Sequence, residues 1–237
     1  MRARRNLVVT LTAIWVLAPL MLMAARSPSW WAWIAPEQTP MTWLQSVTLV
    51  LAAAGSMLIG HILRLAADRN PTAADRERLT AWWVLAAGCV ALAFDERFAI
   101  HERVRDGVLA PRGVTIPFLP WVAPGDFLLL LVGLAGLALL PMVWRALRAD
   151  RSASHALVLA VGLAVVAVGM DSVDPSTWSV HAERVEQTAE EVVEFASGLA
   201  FLAAVALRLL GLLDAMAGNL DQRQPKPVRT LSDHDDD

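Results

Sequence analysis

Residues 126–148 read DFLLLLVGLAGLALLPMVWRALR, and between Asp126 and Arg145 they carry no charged side chain. About 20 apolar residues cross a hydrocarbon core of ~30 Å, so this run is a transmembrane helix. Similar runs lie on both sides of it, and the spacing predicts six spans over roughly 7–25, 43–66, 78–106, 126–148, 155–172 and 189–214. No stretch alternates apolar and polar residues as a barrel strand would. The chain therefore reads as an all-α integral membrane bundle. Its 237 residues are 56% hydrophobic, with a mean hydropathy of +0.48. The expected organisation is one six-helix domain over 1–216 and a disordered cytoplasmic tail over 217–237, where the sequence turns polar and Pro-containing and ends in Asp-Asp-Asp.

Charge sets the expected orientation. With six spans, both termini share a side, and that side carries 14 of the 20 Lys and Arg residues. The positive-inside rule then puts both termini in the cytoplasm of a bacterial inner membrane. Thirteen of the 23 acids fall on the other side, making it about −7 and the cytoplasmic side about +4, although the whole chain is only −3. An anionic mouth attracts cations. No basic patch suggests nucleic acid, so the expected partners are the lipid bilayer and a membrane-protein partner. Tryptophans are expected as interface anchors, with Trp82, Trp83 and Trp144 inside and Trp30, Trp31, Trp33, Trp43, Trp121 and Trp178 outside. Residues 1–25 also resemble a signal peptide, but the apolar run is long for one and is read as an uncleaved first helix.

Six acids and a histidine stand where spans should end: Asp95, Glu96 and His101, then Asp171, then Glu190, Glu191 and Glu194. Acids near hydrocarbon are costly and usually face a partner, a cavity or an ion. At 1.5 Å per residue from the inner boundary they lie between ~21 Å (Asp95) and ~33 Å (Glu191), in the outer third of the core or at its rim. Carboxylates with a histidine suit Mn, Fe or Zn. The expected metal ligands are Asp95, His101, Asp171, Glu191 and Glu194, with Glu96, Glu102 and Glu190 as candidates either to support the ligands or to act as general base. On a straight helix, His101 is about 120° round from Asp95 and about 140° from Glu96, so it can share an ion with either only if the helix distorts or another helix supplies the second ligand.

A bland reading competes. Thr188 and Glu191 fit a capping box, and Glu190 would complement a helix dipole. Arg97, Arg103, Arg105 and Arg184 could neutralise Asp95, Glu96, Glu102 and Glu183. Asp95, Asp171 and Glu194 are left unexplained by capping. Haem ligation by His61 and His155, which sit near helix ends, is disfavoured. Cys89 is the single cysteine, which excludes an intrachain disulfide. Nucleophile-elbow, Walker A and His-Glu-x-x-His motifs are absent from the sequence.

The segments Phe94-Asp95-Glu96…His101-Glu102 and Thr188-x-Glu190-Glu191-x-x-Glu194 resemble a loose group of uncharacterised bacterial multi-pass membrane proteins. The resemblance implies that the two motifs act together and carries no established activity. Three functions remain: a metal-dependent enzyme acting on a lipid or other hydrophobic substrate, a cation or proton transporter with an acidic vestibule, and an accessory subunit of a membrane complex.

Overall fold

The computed structural model describes residues 2–67, 72–118, 122, 127–173 and 178–223. It is all-helical among those residues, and six of its helices are long and apolar enough to cross a membrane. They are α1 (Arg2–Ala25), α2 (Pro40–Ala66), α3 (Ala73–Phe98), α5 (Phe127–Leu147), α6 (Arg151–Asp171) and α7 (Val180–Arg223). A short α4 (Ile100–Val104) follows α3 and runs into a π-helical turn at Arg105–Leu109 and a 3-10 turn at Ala110–Arg112. The interface anchor expected at Trp121 lies outside the described residues, as does the tail from 224 on.

The bundle is a multi-pass membrane protein built around α7. That helix packs most extensively against α6 and also against α2 and α1, while α2 packs on α3. Lipid tails give no hydrophobic drive between spanning helices, so close packing and interhelical hydrogen bonds must hold them. Ser197 Oγ on α7 donates to the Ala160 carbonyl of α6 (3.0 Å), and Trp15 Nε1 of α1 donates to the Val192 carbonyl of α7 (3.2 Å). Ser46, Thr48 and Ser56 satisfy their hydroxyls on carbonyls four residues back along α2.

The end where α1 begins and α7 finishes carries the larger buried core. Ile59, Trp82, Leu147, Leu157 and Val205 form one buried cluster there. Trp82 is 1% exposed, so it is a core residue rather than the interface anchor expected from sequence, whereas Trp83 and Trp144 are exposed. Asp150 caps α6 by accepting from the Ser152 and Ala153 amides, and its carboxylate pairs with Arg4 at 2.8 Å. Gly211 makes that pair possible, because a Cβ there would stand 2.6 Å from the Arg4 guanidinium and 2.7 Å from the Asp150 carboxylate. Arg4 also reaches Asp214 of α7, at 4.0 Å, so the first and last helices meet at this end.

Close approach on glycine falls at Gly55, whose added Cβ would meet Val205 Cγ1 at 2.8 Å. It does not fall at Gly136, Gly162 or Gly169, where nothing lies within 4 Å.

Two departures from the expected elements shape the other end. The third span does not run straight to residue 106; it breaks at Ala99, which adopts a left-handed conformation (φ 47°). The last helix begins at Val180, well before residue 189, and extends through Arg223. At 44 residues it measures ~66 Å, about twice the hydrocarbon core, so it stands well beyond the bilayer.

Candidate functional site

The break at Ala99 gives α4 a fresh N-terminus, whose first amides have no helical acceptors. Asp95, in the last turn of α3, meets that need: its Oδ1 accepts from the His101 amide at 2.8 Å. Its Oδ2 stands 2.7 Å from His101 Nδ1. The distortion that would bring His101 to an acid of its own segment is therefore present, and Asp95 and His101 form a bonded pair. Burial pulls the His101 ring down, but the hydrogen bond and charge of Asp95 outweigh it and hold the ring above its ordinary value.

The early start of α7 changes the standing of three acids. Thr188 lies inside the helix and donates to the Arg184 carbonyl (2.7 Å), so it caps nothing. Glu190 and Glu191 are two to three turns from the N-terminus, where neither a capping box nor the helix dipole accounts for them. Glu191 is 6% exposed; its Oε2 and its carbonyl accept from Gln45 Nε2 at 3.0 and 3.1 Å.

The arginine reading also fails for most of the acids. Arg105 pairs with Glu102 (2.9 Å) and Asp106 (2.8 Å). Arg184 instead stacks over Trp31, 3.9 Å from the ring centroid, and Arg97 lies over Phe98. Among the described residues, Glu96 has no ion pair.

All eight sequence-selected residues line one cavity of about 1030 Å³: Asp95, Glu96, His101, Glu102, Asp171, Glu190, Glu191 and Glu194. Glu96 lies in electrostatic range of Glu194, Glu37, Asp95 and Glu190, and Glu194 in range of Glu37, Asp171, His101 and Asp95. Away from these groups the wall is mostly leucine and valine from α3, α5 and α6. Gly133, Gly136 and Gly169 also line it, and at Gly136 and Gly169 nothing lies within 4 Å of where a Cβ would stand, so these small residues leave room. The haem candidates His61 and His155 are both exposed and line no part of this cavity.

Glu37 and Gln45 are polar residues at the site that were not selected from sequence. Glu37 sits in the loop between α1 and α2, next to Gln38 with its left-handed backbone (φ 60°). One ligand atom each from Glu37, His101 and Glu102 lie within 4.8 Å of one another, close enough to hold a metal ion. Burial, and then the Glu102 charge, push the Glu37 carboxyl up to about 7. Gln45, in the second turn of α2, is 2% exposed. Glu37 Oε2 and Gln45 Oε1 are buried oxygens without a hydrogen-bond partner. Such acceptors are costly to leave unfilled, and a cation or a donor would satisfy both. The signal for Gln45 was in the sequence, as an amide inside an apolar span; Glu37 had none, being one acid in a Trp- and Pro-rich loop.

Residues 5–209 match the profile of a protein family described as a domain of unknown function, DUF8692. The chain belongs to that family. The matched span includes every residue of the carboxylate cavity, so the cavity falls within the family's own domain. No curated protein and no solved structure matches the chain.

Proposed function

We propose that the protein is a metal-dependent enzyme of the bacterial inner membrane, acting on the polar end of a lipid or similarly hydrophobic substrate. One observation carries this reading: Glu37, His101 and Glu102 converge in a cavity that is otherwise largely apolar, and that cavity is also lined by the buried, unpartnered Glu37 carboxylate and Gln45 amide oxygens. Two carboxylates and an imidazole suit Mn, Fe or Zn. Bound there, such an ion would polarise a substrate oxygen or activate water.

The remaining residues divide by contact. Asp95 engages His101 Nδ1, which leaves Nε2 for the metal and fixes the ring, the usual task of a carboxylate behind a ligating histidine. Glu191 is held by Gln45, so Gln45 positions it at the wall. Glu96 and Glu190 are the general-base candidates, while Asp171 and Glu194 offer further oxygens to a cation. An acyl chain fits along the leucine and valine wall. The arginine bias of the sequence supports a cytoplasmic location for both termini, with the carboxylate end facing outward.

Transport of a cation is the second reading, favoured by the concentration of acids at one mouth. Against it, the deep part of the cavity is walled by apolar side chains with Cys89 and Ser197, which offer no relay of ionisable groups.

The test is lipid turnover. Protein loaded with Mn, Fe or Zn and reconstituted with mixed phospholipids and diacylglycerol should convert one lipid class, followed by mass spectrometry. Glu37→Gln/His101→Ala/Glu102→Gln should lower the rate by at least about tenfold. Unchanged lipids together with metal flux under an imposed gradient would replace the enzyme reading with transport.

A further inference from the structure

The packed end of the bundle holds a second cavity, of about 320 Å³, against Trp82. Arg78 of α3, Arg145 of α5, Arg148 just beyond α5 and Arg208 of α7 all line it. Along α7, Arg208 lies ~21 Å from Glu194, so this cleft is well separated from the carboxylate cavity. Guanidinium groups gathered around one cleft repel one another unless an anion sits among them.

The protein's own acids leave most of that charge uncompensated. Glu77 pairs with Arg145. Asp150 is in range of Arg208, but its carboxylate is already shared by Arg4 and the α6 amides. Asp214 reaches Arg4. Among the described residues, Arg78, Arg148 and Arg208 form no ion pair. Arg208 Nε is in addition a buried donor with no partner. Leaving a buried donor unfilled is costly, more so for a charged one, so a ligand acceptor there gains what the protein forgoes.

We propose that this cleft binds a phosphate-bearing group, supplied by an anionic phospholipid headgroup or by free phosphate. Guanidinium is the side chain whose planar fork matches phosphate oxygens two at a time. The location suits a headgroup: Arg78, Arg145 and Arg148 stand at the ends of spanning helices, with exposed Trp83 and Trp144 beside them. Basic pockets between spanning helices at that depth hold acidic headgroups. The site requires neither the metal nor the enzyme reading.

Full-length protein in a neutral detergent, unfolded thermally at constant ionic strength, tests it. The additions are dihexanoyl-phosphatidylglycerol, dihexanoyl-phosphatidylcholine and sodium phosphate, with sodium chloride as the ionic-strength control. A rise of several degrees in Tm with phosphatidylglycerol is expected, at least halved in Arg78→Gln/Arg148→Gln, whose altered side chains are both exposed. Arg208→Gln should abolish the rise; if that variant does not fold, the double variant decides. A rise with phosphatidylglycerol alone assigns the cleft to lipid, and an equal rise with inorganic phosphate assigns it to phosphate itself. No rise with either, an equal rise with phosphatidylcholine, or a double variant that responds as the wild type does would overturn the proposal.

Discussion

The two halves of this bundle treat space and charge in opposite ways. Around Trp82 the helices pack into the larger buried core, broken by one small arginine-lined cleft, and the buried acid Asp150 is held by Arg4 and two backbone amides. Around Glu96 and Glu194 the same helices part over about 1030 Å³, and acids from α3, α6, α7 and the α1–α2 loop face one another with His101 and Arg105 as the nearby bases. A packed half whose buried acid is paired and capped serves stability, with its spare positive charge confined to the arginine cleft. A hollow half crowded with acids leaves them few cations to ionise against, and the left-handed Ala99 sits on that side. Rules broken together at one place mark a functional site more clearly than any single oddity.

The largest expected effect separates the halves directly. Trp82→Ala should destabilise the protein by about 3–5 kcal/mol in mixed-micelle unfolding, the usual range for emptying a buried aromatic site. In metal-free protein, Glu190→Gln should instead be neutral or stabilising, because it removes an ionisable group from a buried crowd of acids at little change in volume. If both variants destabilise alike, the halves are not distinct.

Next in size is Asp150→Ala, expected to cost about 3 kcal/mol by stranding Arg4 and uncapping α6. At the hollow end, Asp95→Asn should cost less than this while weakening metal affinity about 10–100-fold by releasing His101, as read by competitive chelator titration.

A pH dependence comes third. Both Glu37 and His101 are raised in the folded state, so each binds protons more readily folded than unfolded. Their contribution to stability is complete below the unfolded values and lost as pH rises: from 4.5 to about 7 for Glu37, and above 6.5 for His101. Metal-free protein should therefore be more stable near the lower limit than above neutrality, in a denaturation series across pH. Metal affinity should run the other way, since ligands must shed protons to bind. Glu37→Gln should flatten the first trend.

The smallest effect belongs to the break itself. Ala99→Gly removes the steric cost of a left-handed alanine, about 1–2 kcal/mol, against the entropy glycine loses on folding. A net gain below about 1 kcal/mol is expected with metal binding intact. A clear loss of stability would show that the break is held by the Ala99 side chain rather than by Asp95.

Much of the hollow half was legible in the sequence, and the reasons it was only partly so are physical. Hydrophobic run length identifies spans because lipid forbids unsatisfied backbone, and the six spans expected are the six long apolar helices found. Depth along straight helices brought Asp95, Asp171 and Glu194 to one level, and the cavity includes all three. Helix phase misled at His101, because nothing in Phe98-Ala99-Ile100 announces a left-handed alanine. The capping signature at Thr188 misled because a Thr-x-x-Glu pattern is also tolerated inside a long helix, where the hydroxyl bonds back to Arg184. Glu37 lies far from the other acids in sequence, and only the path of the α1–α2 loop brings it to His101. The packed half was less legible: Trp82 reads as an interfacial tryptophan until α5 and α7 are seen to close over it.

The account stands or falls on whether the hollow half holds a cation, and metal content measures that. Protein purified without chelator, then exposed to Mn, Fe or Zn and desalted, should retain about one divalent ion per chain by elemental analysis, consistent with one ligand group at Glu37, His101 and Glu102. Glu37→Gln/His101→Ala/Glu102→Gln should retain none while still folding and keeping its core intact. A wild-type protein that keeps no metal from any of the three, or a triple variant that keeps as much, would contradict the account.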